Sequence, residues 1–106
     1  MFPAVPGLPL TTTYDEVGSV LAVSGDVDAE STEELRRAIE GCSKEYRTGL
    51  VVDLTGVTFL PSVAIGMLVR AEQSFEAAGS SFELAAQTGS MAQRVLTVSA
   101  MPFRSY

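Results

Sequence analysis

With 106 residues, 46 % of them apolar and 19 % charged, the chain can fill one modest hydrophobic core but not two. A formal net charge of -6 without any basic cluster excludes a nucleic-acid surface, which needs several Lys or Arg on one face. A lone cysteine, Cys42, and no histidine leave no internal disulfide and no recognisable metal spacing, so neither metal nor cofactor is expected and a reducing cytoplasm is the expected setting.

The opening MFPAVPGLPL is apolar, but Pro3, Pro6 and Pro9 interrupt it and it has no basic leader, which predicts an irregular arm over residues 1–10 ahead of a single domain over 11–106. No run approaches the roughly 18 to 20 apolar residues that a membrane span requires, so no membrane insertion is expected. Thr11 to Tyr14 and Ser19 to Val23 are β-prone and flank the turn cluster Asp15 to Gly18, which predicts an antiparallel hairpin. Ser24-Gly25 ends the second strand. A capping-box pattern at Ser31-Thr32-Glu33-Glu34 then opens a helix whose apolar stripe is Leu35, Ala38, Ile39, Cys42 and Tyr46.

Leu50 to Leu54 is a short, β-branched apolar run that reads as a central strand closed by the turn signals Thr55-Gly56. After a second apolar step, Val57 to Leu60, the pair Pro61-Ser62 stops extended structure. Ser62 is placed to cap a helix, whose stripe is Ala64, Leu68, Ala71, Phe75 and Ala78 before Gly79 ends it. The stripe leaves Ile65, Met67 and Val69 over as candidates for a contact patch. Phe82, Leu84 and Ala86 alternate as a strand, Ser90 to Gln93 forms a second capping box, and the last helix runs to about Ala100 before Pro102. Phe103 and Tyr106 in the tail are placed to pack back. The order β-β-α-β-α-β-α predicts an α/β fold, a small mixed, mainly parallel four-stranded sheet with helices packed on it.

No serine has an evident base beside it and no phosphate loop of Walker spacing is present, so the chain reads as a binding module and not an enzyme. Asp26 with Asp28, or Asp53 with Asp28, would make a carboxylate pair, yet acidic residues at strand ends and helix starts are ordinary caps. Ser62 has a bland reading as an N-cap and a sharper one as part of a partner surface. Asp28 reads as a turn or cap residue for the first helix, and Asp53 is expected to order the loop after its strand. Gly66 sits early in a helix, where glycine costs about 1 kcal/mol relative to alanine, so close packing or a partner would have to justify it. Met67, unbranched and polarizable, suits an adaptable interface.

The stretch VVDLTGVTFLPSVAIGML resembles the signature of STAS domains of the anti-sigma factor antagonist family: a hydrophobic strand, Asp-Leu-Ser-Gly-Val, a short apolar step, then Asp-Ser-Ser/Thr-Gly opening a helix. Asp53, Leu54, Gly56, Val57 and Phe59 match; Pro61-Ser62-Val63-Ala64 stands where the tetrad belongs. Gly25-Asp26-Val27-Asp28 is similar to the family's Gly-Glu-Leu-Asp ahead of its first helix, and the resemblance spans residues 11–103. It implies a STAS-like fold and a cytoplasmic protein that binds an anti-sigma factor of the serine-kinase type and so releases a sigma factor. In the family the third tetrad residue is phosphorylated by the partner kinase; alignment on Phe59 and Gly66 puts Val63 there, which has no acceptor hydroxyl, with Ser62 as the neighbouring one. The partner surface expected from the resemblance and the helix pattern is Asp28, Ser62, Val63, Ile65, Gly66 and Met67. The alternative is a non-switching STAS subunit of a transport or signalling complex, for which the lost phosphosite is no handicap.

Overall fold

A computed structural model describes residues 9–106. The arm expected over residues 1–10 lies, but for its last two residues, outside the described residues. The elements are β1 (Thr11–Asp15), β2 (Val20–Asp26), α1 (Ala29–Cys42), β3 (Leu50–Phe59), α2 (Ser62–Ala78), β4 (Phe82–Ala86), α3 (Met91–Val98) and β5 (Arg104–Ser105). Spatial order in the sheet equals chain order, β1-β2-β3-β4-β5. β1 pairs antiparallel with β2, and every later pair is parallel. The mixed, mainly parallel α/β sheet expected from the strand and helix order is present, but with five strands instead of four, because the tail after Pro102 pairs with the end of β4.

Leu21 and Val23 of β2, Val52 and Leu54 of β3, and Leu84 and Ala86 of β4 join the buried side chains of all three helices in one core cluster. Alternate strand residues point to opposite faces, so the helices pack on one face and the residues between, Ala22, Ser24, Asp53 and Thr55 among them, face away from that core. Phe75 of α2 is fully buried, stacks on Phe82 with ring centroids 4.8 Å apart, and receives the edge of Tyr46 at 5.2 Å.

β3 does not stop at Leu54. It runs on to Phe59 through Thr55-Gly56, because against β2 it carries two extra residues: Ala22 to Ser24 faces Asp53 to Gly56, and Gly25 to Asp26 faces Val57 to Phe59. A bulge lets a strand absorb an extra residue and bend without ending. Gly56 is there because the chains approach closely; a Cβ at this position would stand 2.6 Å from Ser24 Cβ.

Helix starts also differ from expectation. α1 begins at Ala29, two residues before the expected box: Asp28 is the N-cap and Ser31 the reciprocal N3 residue. α2 is capped by Pro61, without a side-chain bond, so Ser62 is the first helical residue and not the cap. Tyr46 lies beyond α1, which ends at Cys42; Lys44, Glu45 and Tyr46 follow in left-handed conformation (φ 53°, 60° and 68°), fastened by the buried Ser43 hydroxyl, which donates to the Ile39 carbonyl at 2.7 Å and accepts the Tyr46 N–H at 3.0 Å. Gly79 ends α2 in left-handed conformation as expected, whereas Ala78 is exposed and outside the stripe. α3 is capped by Ser90, whose hydroxyl accepts the Gln93 N–H at 3.1 Å, and it ends at Val98, not Ala100.

Candidate functional site

Parallel strands gather the loops that follow them at their carboxyl ends. Here the β2–α1 and β3–α2 connections meet: Val27 N–H donates to the Phe59 carbonyl at 2.9 Å, and the Thr58 hydroxyl donates to Asp26. This junction brings Asp28 and the start of α2, separate in sequence, to one end of the sheet.

Asp28 is exposed and its carboxylate is already engaged. Oδ1 accepts the Ser31 N–H at 2.8 Å and the Ser31 hydroxyl at 2.9 Å, while Ser31 Oγ accepts the Asp28 N–H at 2.8 Å. The backbone and side-chain bonds from Ser31 hold the carboxyl below its ordinary pKa. Asp28 is therefore an anionic cap on an open surface, so its bland and sharp readings are compatible.

At the start of α2, Pro61 accepts the N–H groups of Ala64 and Ile65 at 2.9 and 3.1 Å. The first turn carries no acidic residue, so the partial positive charge of this helix end meets no carboxylate of its own turn. Ser62 is exposed, and among the described residues its hydroxyl makes no hydrogen bond. Val63 is 49 % exposed.

The other residues expected in the patch divide. Ile65 is half-buried and packs against the core cluster, as does Val69. Met67 is only 3 % exposed and belongs to the core. The expected role of Met67 in a partner contact is thus corrected: it lies three residues after Ala64 and four before Ala71, so it shares their buried face. Gly66 is half-buried; a Cβ there would meet only Arg70 Nη1, at an ordinary 3.5 Å, so packing does not require glycine.

One surface residue was not expected. Phe59 is 52 % exposed. In a regular strand it would share the inward face of Val57, but the second extra residue of β3 lies between them and turns it out. No periodicity signals such a turn. The resulting end presents two open apolar side chains, Phe59 and Val63, beside the Ser62 hydroxyl and the Asp28 carboxylate.

Asp53 lies elsewhere, on the face away from the helices. It does order its own strand, accepting the Thr55 N–H at 3.0 Å and hydroxyl at 2.7 Å, and it also accepts the Tyr106 hydroxyl at 2.5 Å. Burial pushes its carboxyl up, but the bonds from Tyr106 and Thr55 together outweigh this and leave it below its ordinary value.

Comparison with known proteins agrees with the fold. A family model described as "Mlab, STAS domain" matches residues 10–101. No curated protein matches the chain in sequence. Among solved structures, an anti-sigma factor antagonist from Mycobacterium paratuberculosis is similar with a TM-score of 0.74 and 24 % identity, over 91 % of this chain and 86 % of that one. An antisigma-factor antagonist STAS domain from Rhodobacter sphaeroides is similar with a TM-score of 0.53 and 17 % identity, over 74 % of this chain and 85 % of that one. At these identities the likeness is one of fold.

Proposed function

The chain belongs to the STAS domain family, and from that premise we propose that it is an anti-sigma factor antagonist, a cytoplasmic binding module that occupies an anti-sigma factor of the serine-kinase type and so frees a sigma factor. One observation carries the reading. The Val27–Phe59 bond joins the two matched motifs into a single exposed end, where Asp28, Phe59, Ser62 and Val63 face solvent together. Open apolar side chains with polar neighbours fit the mixed make-up of a non-obligate protein contact. Nothing catalytic is asked of these residues; the mechanism is competition for a surface, with specificity from shape and charge.

Regulation departs from the family pattern in this reading. Position 63 has no hydroxyl, so the usual acceptor is absent, and the protein is permanently competent unless Ser62 replaces it. Ser62 is free of capping duty and exposed, which makes it the acceptor to test. A phosphate there would add about -1.5 to -2 charges to the apolar contact and disrupt it by desolvation and repulsion.

Val63 also favours a second reading, a non-switching STAS subunit of a transport or signalling complex. Affinity capture from native cells, with and without ATP, separates the two. Recovery of an anti-sigma factor supports the first, and recovery of transport or other signalling components alone would replace it. Incubating the captured partner with ATP, followed by mass spectrometry, then decides regulation. The expected result is no phosphate at residue 63; stoichiometric phosphate on Ser62 that abolishes binding would restore a switch displaced by one residue.

A further inference from the structure

A second feature lies on the sheet face away from the helices. Thr13, Ala22, Asp53, Ala85 and Arg104 are register partners in one row across all five strands. Thr13 and Ala22 are exposed, yet Ala85 is only 3 % exposed although it lies outside the core cluster. The C-terminal segment covers it. β5 is two residues long and is fastened mainly by what surrounds it: Arg104 Nη2 pairs with Glu83 Oε1 at 3.5 Å, the Ser105 and Thr88 hydroxyls meet at 2.8 Å, and the Tyr106 carbonyl accepts the Thr88 N–H at 2.8 Å. Tyr106 then reaches across β4 to β3, where its hydroxyl donates to Asp53 Oδ2 and meets Thr55 Oγ1 at 2.9 Å.

These fastenings are exposed, and exposed ion pairs and hydroxyl bonds are individually weak, so the segment opens at a lower free energy than the sheet beneath it. Its opening frees the outer edge of β4 at Ala85 and Ala86 and so extends the unpaired edge along the whole strand, a template for another strand. A second copy of the chain offers one. β1 is the other edge of the sheet among the described residues, has five residues as β4 has, is exposed at every position, and contains neither Lys nor Pro to discourage pairing. Antiparallel pairing centred on Thr13 and Leu84 sets Asp15 opposite Phe82, so it does not face Glu83.

We propose that Pro102–Tyr106 is a detachable strap, clasped by Tyr106 on Asp53 and Thr55, that keeps the β4 edge from pairing with β1 of a second copy. Joining unlike edges is a head-to-tail contact, which builds rings or open filaments, so the clasp decides between separate chains and a larger assembly. Tyr106→Phe removes only the clasp hydroxyl, and Tyr106→Ala removes the whole reach across β4. Hydrogen exchange of the Thr88 and Tyr106 amides in Tyr106→Phe should speed up about two- to tenfold, the factor carried by one exposed hydrogen bond, while β2 and β3 amides keep their wild-type rates. By light scattering, wild type should stay monomeric, Tyr106→Ala should form concentration-dependent assemblies, and adding Thr13→Lys should return it to monomer. Unchanged exchange in Tyr106→Phe overturns the clasp. A monomeric Tyr106→Ala, or assemblies indifferent to Thr13→Lys, overturns the docking of β1.

Discussion

Asp28 caps α1 with a carboxylate that also stands open to solvent. Because Oδ1 closes the capping box with Ser31, a test of its role in binding must keep the cap and remove only the charge. Asn caps as well as Asp, so Asp28→Asn should leave the melting temperature close to wild type while weakening partner binding; equal binding with an unchanged melt would confine Asp28 to capping. Gly66 is the converse case. With only Arg70 Nη1 near a new Cβ, Gly66→Ala should stabilise the fold by about 0.5–1 kcal/mol through helix propensity, measured in denaturant melts. A loss of stability would mean that the backbone there relies on glycine. The motif residues Asp28 and Val63 were legible in the sequence as surface candidates, whereas Met67 was misplaced because a stripe built from Ala64, Leu68, Ala71 and Phe75 has a second edge that also faces the core. Phe59 was missed because its exposure depends on a bulge made by pairing with β2, a contact distant in sequence.

Among the elements, β3 is where local and long-range information disagree. Thr55-Gly56 carries the chemistry of a turn, yet parallel pairing with β2 on one side keeps the strand going. Gly56→Ala tests this directly: its Cβ would collide with Ser24 Cβ and its neighbours, and overpacking of this kind costs about 1–3 kcal/mol. A neutral effect in denaturant melts would mean that β2 and β3 separate there. In α2, Leu68→Ala should cost about 2–5 kcal/mol, the range for large apolar truncations in a packed core; a loss under about 1 kcal/mol would contradict its full burial. The strap has a pH signature as well. Asp53 sits below its ordinary pKa of 3.8, so its contribution is present above that value and is lost as pH falls through the folded pKa. Tyr106 is raised above its ordinary 10.0 by its bond to Asp53, so its contribution is present below 10.0 and is lost as pH rises through the folded pKa. The other charged groups of the strap, Arg104 and its partner Glu83, pair with each other. Protection of the Thr88 amide, taken as its exchange relative to the base-catalysed rate of an open peptide at each pH, should therefore fall at both extremes in wild type, and Tyr106→Phe should remove the alkaline fall; one that survives assigns it to another group.

For the whole molecule, the alternation of half-buried runs with helical stripes sufficed to read three parallel strands and three helices, because each signal is local and repeats several times. β5 was not readable: two residues set no period, and their strand character comes from Ala85 and Ala86 alongside. The position of the candidate site followed from topology, since parallel strands collect their outgoing loops at one end, but its make-up depended on the Val27–Phe59 junction. The central claim, that this end is the partner surface, is tested most directly by calorimetric titration of the captured anti-sigma factor with wild type, Val63→Lys and Val98→Lys. Both valines are exposed, at 49 % and 86 %, but Val98 closes α3 away from the junction. All three proteins should melt alike, Val98→Lys should bind as wild type does, and Val63→Lys should bind at least about tenfold more weakly, the loss of about 1.4 kcal/mol. Wild-type affinity in Val63→Lys, with the loss appearing in Val98→Lys instead, would contradict the assignment.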